Sequence, residues 1–247
     1  MPTTLLCTLL WIAATAPAQA DPLSTLAATL KGLQVGAPIK GRLEVKSETV
    51  EDGDDPKKPG TADIELDITA GDGLSVHMSE ALLAQINAEE ARNAADPNQR
   101  QPTVDLLRSM GPAKIGHMVS AAGTLLTTLD GATDPVTKPA LLDAVPVTQL
   151  SVHLPPRLSN KDRGSAKDYQ DSVTIWLDVQ GVPLQFQETV HAKFCKFFLC
   201  ISVDRQQTLM LRVLAGRLVT VSDTEELKQS GLGQGSDTHT TATLQLE

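Results

Sequence analysis

Aromatic side chains are scarce. They make up 3% of the 247 residues, and all except Trp11 fall between Tyr169 and Phe198. Ring packing is therefore confined to that stretch, and aliphatic side chains must fill the rest of the interior. Runs of Lys and Arg are also missing. The chain carries 21 basic against 30 acidic residues, a formal net charge of -9. A nucleic-acid binder needs a basic patch to neutralise phosphates and release counterions. Here Lys57 and Lys58 sit inside the acidic segment Glu51, Asp52, Asp54, Asp55. The same balance argues against coating an anionic membrane by charge alone.

The sequence is equally short of familiar chemistry. Its five histidines, His77, His117, His153, His191 and His239, form no H-E-x-x-H or other spaced ligand set. No G-x-S-x-G elbow is present. The acidic stretch Glu51 to Gly60 lacks the calcium-loop pattern and reads as a solvated loop between strands. Gly231, Gly233 and Gly235 form a glycine-rich stretch, but a phosphate cradle needs a helix after it. Here Thr238 to Leu246 reads as a strand, so a hairpin connection is expected. No catalytic residue, no metal site and no cofactor is expected.

What is present begins with an export signal. Leu5 to Ala14 is an uncharged, mostly apolar stretch. Ala18, Gln19 and Ala20 give a small-x-small cleavage site, so Met1 to Ala20 reads as a signal peptide cleaved after Ala20. Periplasmic or secreted localisation follows, and no later segment approaches the length of a membrane span. The mature chain keeps Cys195 and Cys200, an even count that suggests one disulfide. On one extended strand the two would lie about 16 Å apart at roughly 3.3 Å per residue. A bridge needs Cα atoms about 4.4–6.8 Å apart. Either Lys196 to Leu199 is a turn that the bridge staples, or the thiols stay free on one strand. The spacing is not C-x-x-C, so thiol redox catalysis is not expected.

The hydrophobic fraction of 41% against 21% charged is enough for a packed core. Leu23 to Leu33 reads as a helix with Asp21 or Ser24 as cap. Ile39, Gly41, Leu43 and Val45 alternate with charged residues as one strand. Ala62 to Ile68 and Leu74 to Met78 form a hairpin through Gly71 to Gly73. Ser79 caps a helix to about Ala95, and Asp96 to Asn98 stops it. Pro112 opens a second, and Ile115, Met118, Val119, Ala122, Leu125, Leu126 and Leu129 give it one amphipathic stripe, with His117 opposite. Asp134 to Pro146 reads as a connector, Val147 to Leu154 as a strand, and Arg157 to Gln170 as a polar, mobile segment. From Asp171 the pattern is strand after strand: Val173 to Val179, Leu184 to Val190, Phe194 to Val203, Gln207 to Leu214, Leu218 to Val221, and Thr238 to Leu246.

Sequential strands joined by short turns make an antiparallel meander. The expected fold class is α+β, a single curved antiparallel sheet of about eight or nine strands packed with two to three helices. Residues 21–247 read as one domain.

Trp176 shares a strand face with Thr174 and Asp178, a pair that would suit a glycan site or simply an exposed amphipathic face. The segment Phe194 to Cys200 is the most informative. As a stapled turn it presents Phe197, Phe198 and Leu199 at its tip, a contact for a membrane, lipid or partner, since turn tips are usually polar. As a buried strand it fills the core.

Ser172 to Asp178, followed by Gly181, Val182, Pro183 and Leu184, resembles a hairpin of periplasmic lipoprotein-carrier and related lipid-binding proteins. The resemblance covers residues 171–222 by motif and the remainder by element order. It implies a curved antiparallel sheet closed by helices over an apolar cavity. Three functions are carried forward. The first is a non-enzymatic binding protein for a lipid, acyl chain or lipoprotein, with Trp176, Leu184 and Phe186 lining the cavity. The second is an envelope interaction module with a solid core, which meets a protein through Phe197 and Phe198 or an edge strand. The third is a glycan-directed hydrolase with carboxylates gathered near Trp176.

Overall fold

A computed structural model describes residues 21–52, 60–71, 73–159, 163–196, 199–231 and 233–247. The expected signal peptide, Lys57, Lys58, Phe197 and Phe198 lie outside the described residues. The fold is α+β. Among the described residues it has one open antiparallel sheet of ten strands and five helices, more of both than the sequence pattern predicts.

The helix α1 (Pro22–Gly32) starts where Asp21 accepts hydrogen bonds from the amides of Leu23 and Ser24, and Leu26 and Leu30 form its buried face. β1 (Ile39–Glu51), β2 (Gly60–Ala70) and β3 (Leu74–Met78) follow. Ser79 caps α2 (Glu80–Ala95) by accepting from the Leu82 amide. Next come α3 (Pro102–Ser109), α4 (Pro112–Val119) and α5 (Ala121–Thr128), then β4 (Thr133–Leu142) and β5 (Val145–His153). The meander is β6 (Ala166–Leu177), β7 (Pro183–Lys196), β8 (Leu199–Leu214), β9 (Arg217–Gly231) and β10 (Gln234–Leu246).

Across the sheet the order is β3-β2-β1-β10-β9-β8-β7-β6-β5-β4. The last strand therefore pairs with the first, and each remaining neighbour is a hairpin partner or follows next in sequence.

Four expectations need correction. The stripe from Ile115 to Leu129 is not one helix, because the chain leaves helical geometry at Ser120 (φ -134°, ψ 53°). Ile115, Met118 and Val119 face one core cluster, with β1 and β2. Ala121, Ala122 and Leu125 face another, with α1, β5 and β6. A straight helix has one stripe, and the break aims its two halves at two targets. The helix α3 has no side-chain cap of its own. Its first amides donate instead to the Oε2 of Glu89, buried on α2, at 3.0 and 3.1 Å.

The connector at 134–146 is an edge hairpin. β4 pairs with β5 through Asp143 and Ala144, both at positive φ. Pro135 and Pro139 are tolerated because β4 has a partner on one side only. Finally, Phe194 to Val203 is not one strand, and Ala166 to Gln170 is not loose. The chain reverses between Lys196 and Leu199, and Ala166 to Gln170 opens β6 against β7. Cys195 and Cys200 face each other across that reversal with Cα atoms 4.1 Å apart and are disulfide-bonded.

Candidate functional site

All five helices lie on one face of the sheet, and register defines what that face contains. One row of aligned side chains runs Ile64, Val45, Ala242, Asp223, Leu209, Phe186, Ile175, Leu150, across eight strands from β2 to β5. It is apolar except for Asp223. The adjacent row on the same face runs Ala62, Ser47, Thr240, Glu225, Gln207, Glu188, Val173, Val152. Its middle is wholly polar. Side chains two residues apart on a strand share a face. Four of these strands, β1, β10, β8 and β7, therefore switch from apolar to polar within one step along their length, and β9 is polar in both rows.

A cleft of about 640 Å³ opens along this switch, between α4 and α5 above and β7 to β9 below. Met118, Ala121, Leu125, Phe186 and Leu209 give it an apolar wall. Its polar side is a chain of ion pairs. Lys114 on α4 reaches Glu225 at 2.7 Å and Asp223 at 3.8 Å. Arg205 on β8 pairs with Glu188 and lies 4.0 Å from Glu225. Arg157, in the segment after β5, lies 3.8 Å from Glu188 and donates to the carbonyl of Thr128 at the end of α5. Gln207 donates to Asp223 at 2.9 Å. The α4–α5 pair is thus tied to the sheet at its start by Lys114 and at its end by Arg157.

Two carboxylates of this ion-pair chain are held away from water. Asp223 is 3% exposed and Glu188 5%. Burial pushes the pKa of Asp223 up, opposed by Lys114 and by the hydrogen bond from Gln207. Burial likewise raises Glu188, opposed mainly by Arg205. Asp171, one row further on, is raised by burial too. It accepts from the Tyr169 hydroxyl at 3.2 Å, while its Oδ1 is buried without a hydrogen-bond partner among the described residues. Among the described residues no three His, Cys, Asp or Glu side chains gather as a metal ion would require.

Register separates the residues singled out from the sequence. Phe186 lies on the helix-covered face, lines the cleft and pairs with Ile175. Trp176 pairs with Gln149 and Gln185 on the opposite face, so it does not share a wall with Phe186 and does not meet the buried carboxylates. Leu184 lines a different, shallow cleft of about 520 Å³ beside Leu33, Val182, Leu211 and Val213, at the strand ends near the end of α1. His117 is exposed, as its position on the helix predicts, and lies at the cleft edge. The charged chain itself escaped sequence reasoning. Its members come from α4, the segment after β5, and three different strands. The available signal was parity, since Asp223, Glu225, Gln207, Arg205 and Glu188 all fall on strand positions that continue an inward-facing series.

No known protein family matches this chain, and no relative is found among curated proteins.

Proposed function

We propose that this protein is an exported, non-enzymatic binding protein for an amphiphile: a lipid, an acyl chain or the lipid end of a lipoprotein. The observation that carries the reading is the cleft under α4 and α5, where an apolar wall meets a charged floor inside one cavity of about 640 Å³. Such a volume lies within the usual range for small-molecule sites, which pair apolar walls with a few fixed polar groups. Met118, Leu125, Phe186 and Leu209 take the chain by apolar burial. Lys114, Arg157 and Arg205 fix the polar end. Export is supported by the small-x-small site at Ala18 to Ala20 and by the Cys195–Cys200 disulfide, a bond that persists in oxidising compartments. Among the described residues no helix is long and apolar enough to cross a membrane.

Native mass spectrometry of protein purified gently from an exporting host, before and after organic extraction, tests this. A bound mass that extraction removes and that identifies as a lipid supports the reading. A bare chain mass, joined by no uptake of laurate, overturns it.

An interaction role for the edge hairpin is a second reading with its own observation. Val136 and Leu141 of β4 and Val145 of β5 are exposed on the edge hairpin, whose outer strand β4 has no further partner among the described residues. Replacing Leu141 and Val145 with Ser would then remove a captured envelope partner while leaving thermal stability unchanged. An unchanged partner set excludes this role.

A further inference from the structure

A second cleft, of about 380 Å³, lies beyond the first along the same polar row. The two share Ser109, Lys114 and Glu225 in their linings, so they adjoin as a groove crossed by the Lys114–Glu225 ion pair. From Ser47 on β1 to Glu188 on β7 the polar row crosses five neighbouring strands, about 19 Å at roughly 4.8 Å per strand. The groove therefore has two ends of different chemistry. The first is apolar and charged. The second is floored by hydroxyls.

That floor is a ladder of two cross-strand pairs. Ser47 and Thr240 are hydrogen-bonded at 3.2 Å, and so are Thr49 and Thr238. A hydroxyl offers one donor and two acceptor positions. A pair that spends one donor and one acceptor on itself keeps one O–H and three lone pairs for a ligand. Each rung therefore both gives and takes, which is the complement of a polyol, whose own hydroxyls do the same.

Charge at this end argues in the same direction. Its cations are matched by carboxylates: Arg100 with Glu51 at 2.9 Å and Lys114 with Glu225 at 2.7 Å. A phosphate or sulfate group would meet a carboxylate beside every cation, and like-charge repulsion would oppose it. A neutral, hydroxyl-rich group meets no such opposition, and carboxylate and guanidinium groups both bond to hydroxyls. Pro102, Leu106 and Leu227 add aliphatic surface for the C–H faces of a sugar ring.

We infer that the hydroxyl-floored end of the groove seats an uncharged, polyhydroxylated headgroup, so that the ligand class is a glycosylated amphiphile with its sugar over Ser47, Thr49, Thr238 and Thr240. This rests on the amphiphile reading for the position of the tail.

Three probes of equal chain length, each kept below its micelle concentration, test it by calorimetric titration: laurate, dodecyl phosphate and dodecyl maltoside. The expected result is that dodecyl maltoside binds roughly tenfold tighter than the other two, the worth of one or two neutral hydrogen bonds. The double variant Thr49→Val, Thr240→Val loses that preference and keeps its laurate affinity. Thr49→Ser, Thr240→Ser retains the preference and checks that the fold is intact. Equal affinity for the three probes, a preference for dodecyl phosphate, or a preference that survives in the valine variant each overturns the headgroup assignment and leaves the tail reading standing. Uptake of free maltotriose without uptake of laurate supports the sugar seat and overturns the tail. Binding of none of these probes overturns both.

Discussion

Two halves of one sheet face differ here in chemistry. Toward the strand ends near α1, side chains on the covered face are Leu43, Val45, Leu244, Leu211 and Ile175, all buried. Further along the same strands, at the same parity, stand Ser47, Thr49, Thr240, Arg205 and Asp171. The cause is a mismatch of lengths. α4 and α5 have eight residues each, about 12 Å at roughly 1.5 Å per residue. β8 has 16 residues, about 54 Å at roughly 3.4 Å per residue. Short helices cannot roof long strands. Where the roof thins, Ser47, Thr49 and Thr240 are half-buried, while Asp171, Glu188 and Asp223 stay buried among ion pairs and hydrogen bonds. A groove forms at that boundary, walled in part by the segments that carry Arg100 and Arg157, and Asp223 marks the place where the polar zone intrudes one row into the apolar one.

Substitutions that erase the difference should have the largest effects. Ile175 is fully buried in the apolar half, and Ile175→Ala should cost about 3 kcal/mol in urea unfolding. Ile175→Asp, which carries the chemistry of the polar half across, should leave no folded protein by far-UV circular dichroism. Replacing both Cys195 and Cys200 with Ser at the far end of the polar half should cost about 2 kcal/mol, the value for so short a closed loop, read as a lower urea midpoint. Glu89→Gln should cost about 1 kcal/mol, because it exchanges a charged for a neutral cap on α3 while leaving the acceptor oxygen in place.

Protonation sharpens the comparison, because the buried carboxylates belong to the polar zone. Asp171, Glu188 and Asp223 have raised pKa values in the folded protein. Between the ordinary carboxylate value, about 4, and those higher values the folded state binds more protons than the unfolded one. Their contribution therefore makes stability fall as pH rises through that window. His191 acts in the same direction at higher pH. Its hydrogen bond to Asp204 raises it above its ordinary value, so its contribution is present at lower pH and is lost as pH rises through the raised one. Melting temperature should be higher at pH 5 than at pH 7.5, and Asp223→Asn should flatten that slope. A steeper slope in the variant would contradict the assignment. The smallest effect belongs to the hydroxyl ladder. Thr240→Val should change stability by less than about 0.5 kcal/mol, since Ser47 at the groove edge can turn to water.

Much of this arrangement was legible in the amino-acid order, and the limits have physical reasons. Period-two alternation located β1, β2, β6 and the opening of β7, because one buried face leaves a local record. The same spacing runs on through Ser47 and Thr49, which the alternation of apolar residues did not mark because both are polar. Their meeting with Thr240 was hidden, because register between β1 and β10 is set by packing between distant segments. α3 was missed for the same reason, as its cap is supplied by Glu89 on another helix. β4 was masked by Pro135 and Pro139, which forbid a central strand and permit an edge one. The bridge between Cys195 and Cys200 was narrowed to two alternatives by distance alone, and the register of β7 against β8 decided between them. Trp176 and Phe186 sit ten residues apart on neighbouring strands of opposite direction. Their faces depended on where the turn between Asp178 and Val182 fell.

The pairing of β1 with β10 also governs timing. Ser47 and Thr240 are 193 positions apart yet adjacent in the sheet. Strands β1 to β3 emerge early from the ribosome, and their neighbour is the last strand of the series. Until residues near 246 have been synthesised, β1 presents an open edge, and the groove that it floors has one bank. Sheets that depend on such remote pairings fold slowly. The second bank of the groove is therefore supplied by β10, a segment made long after β1.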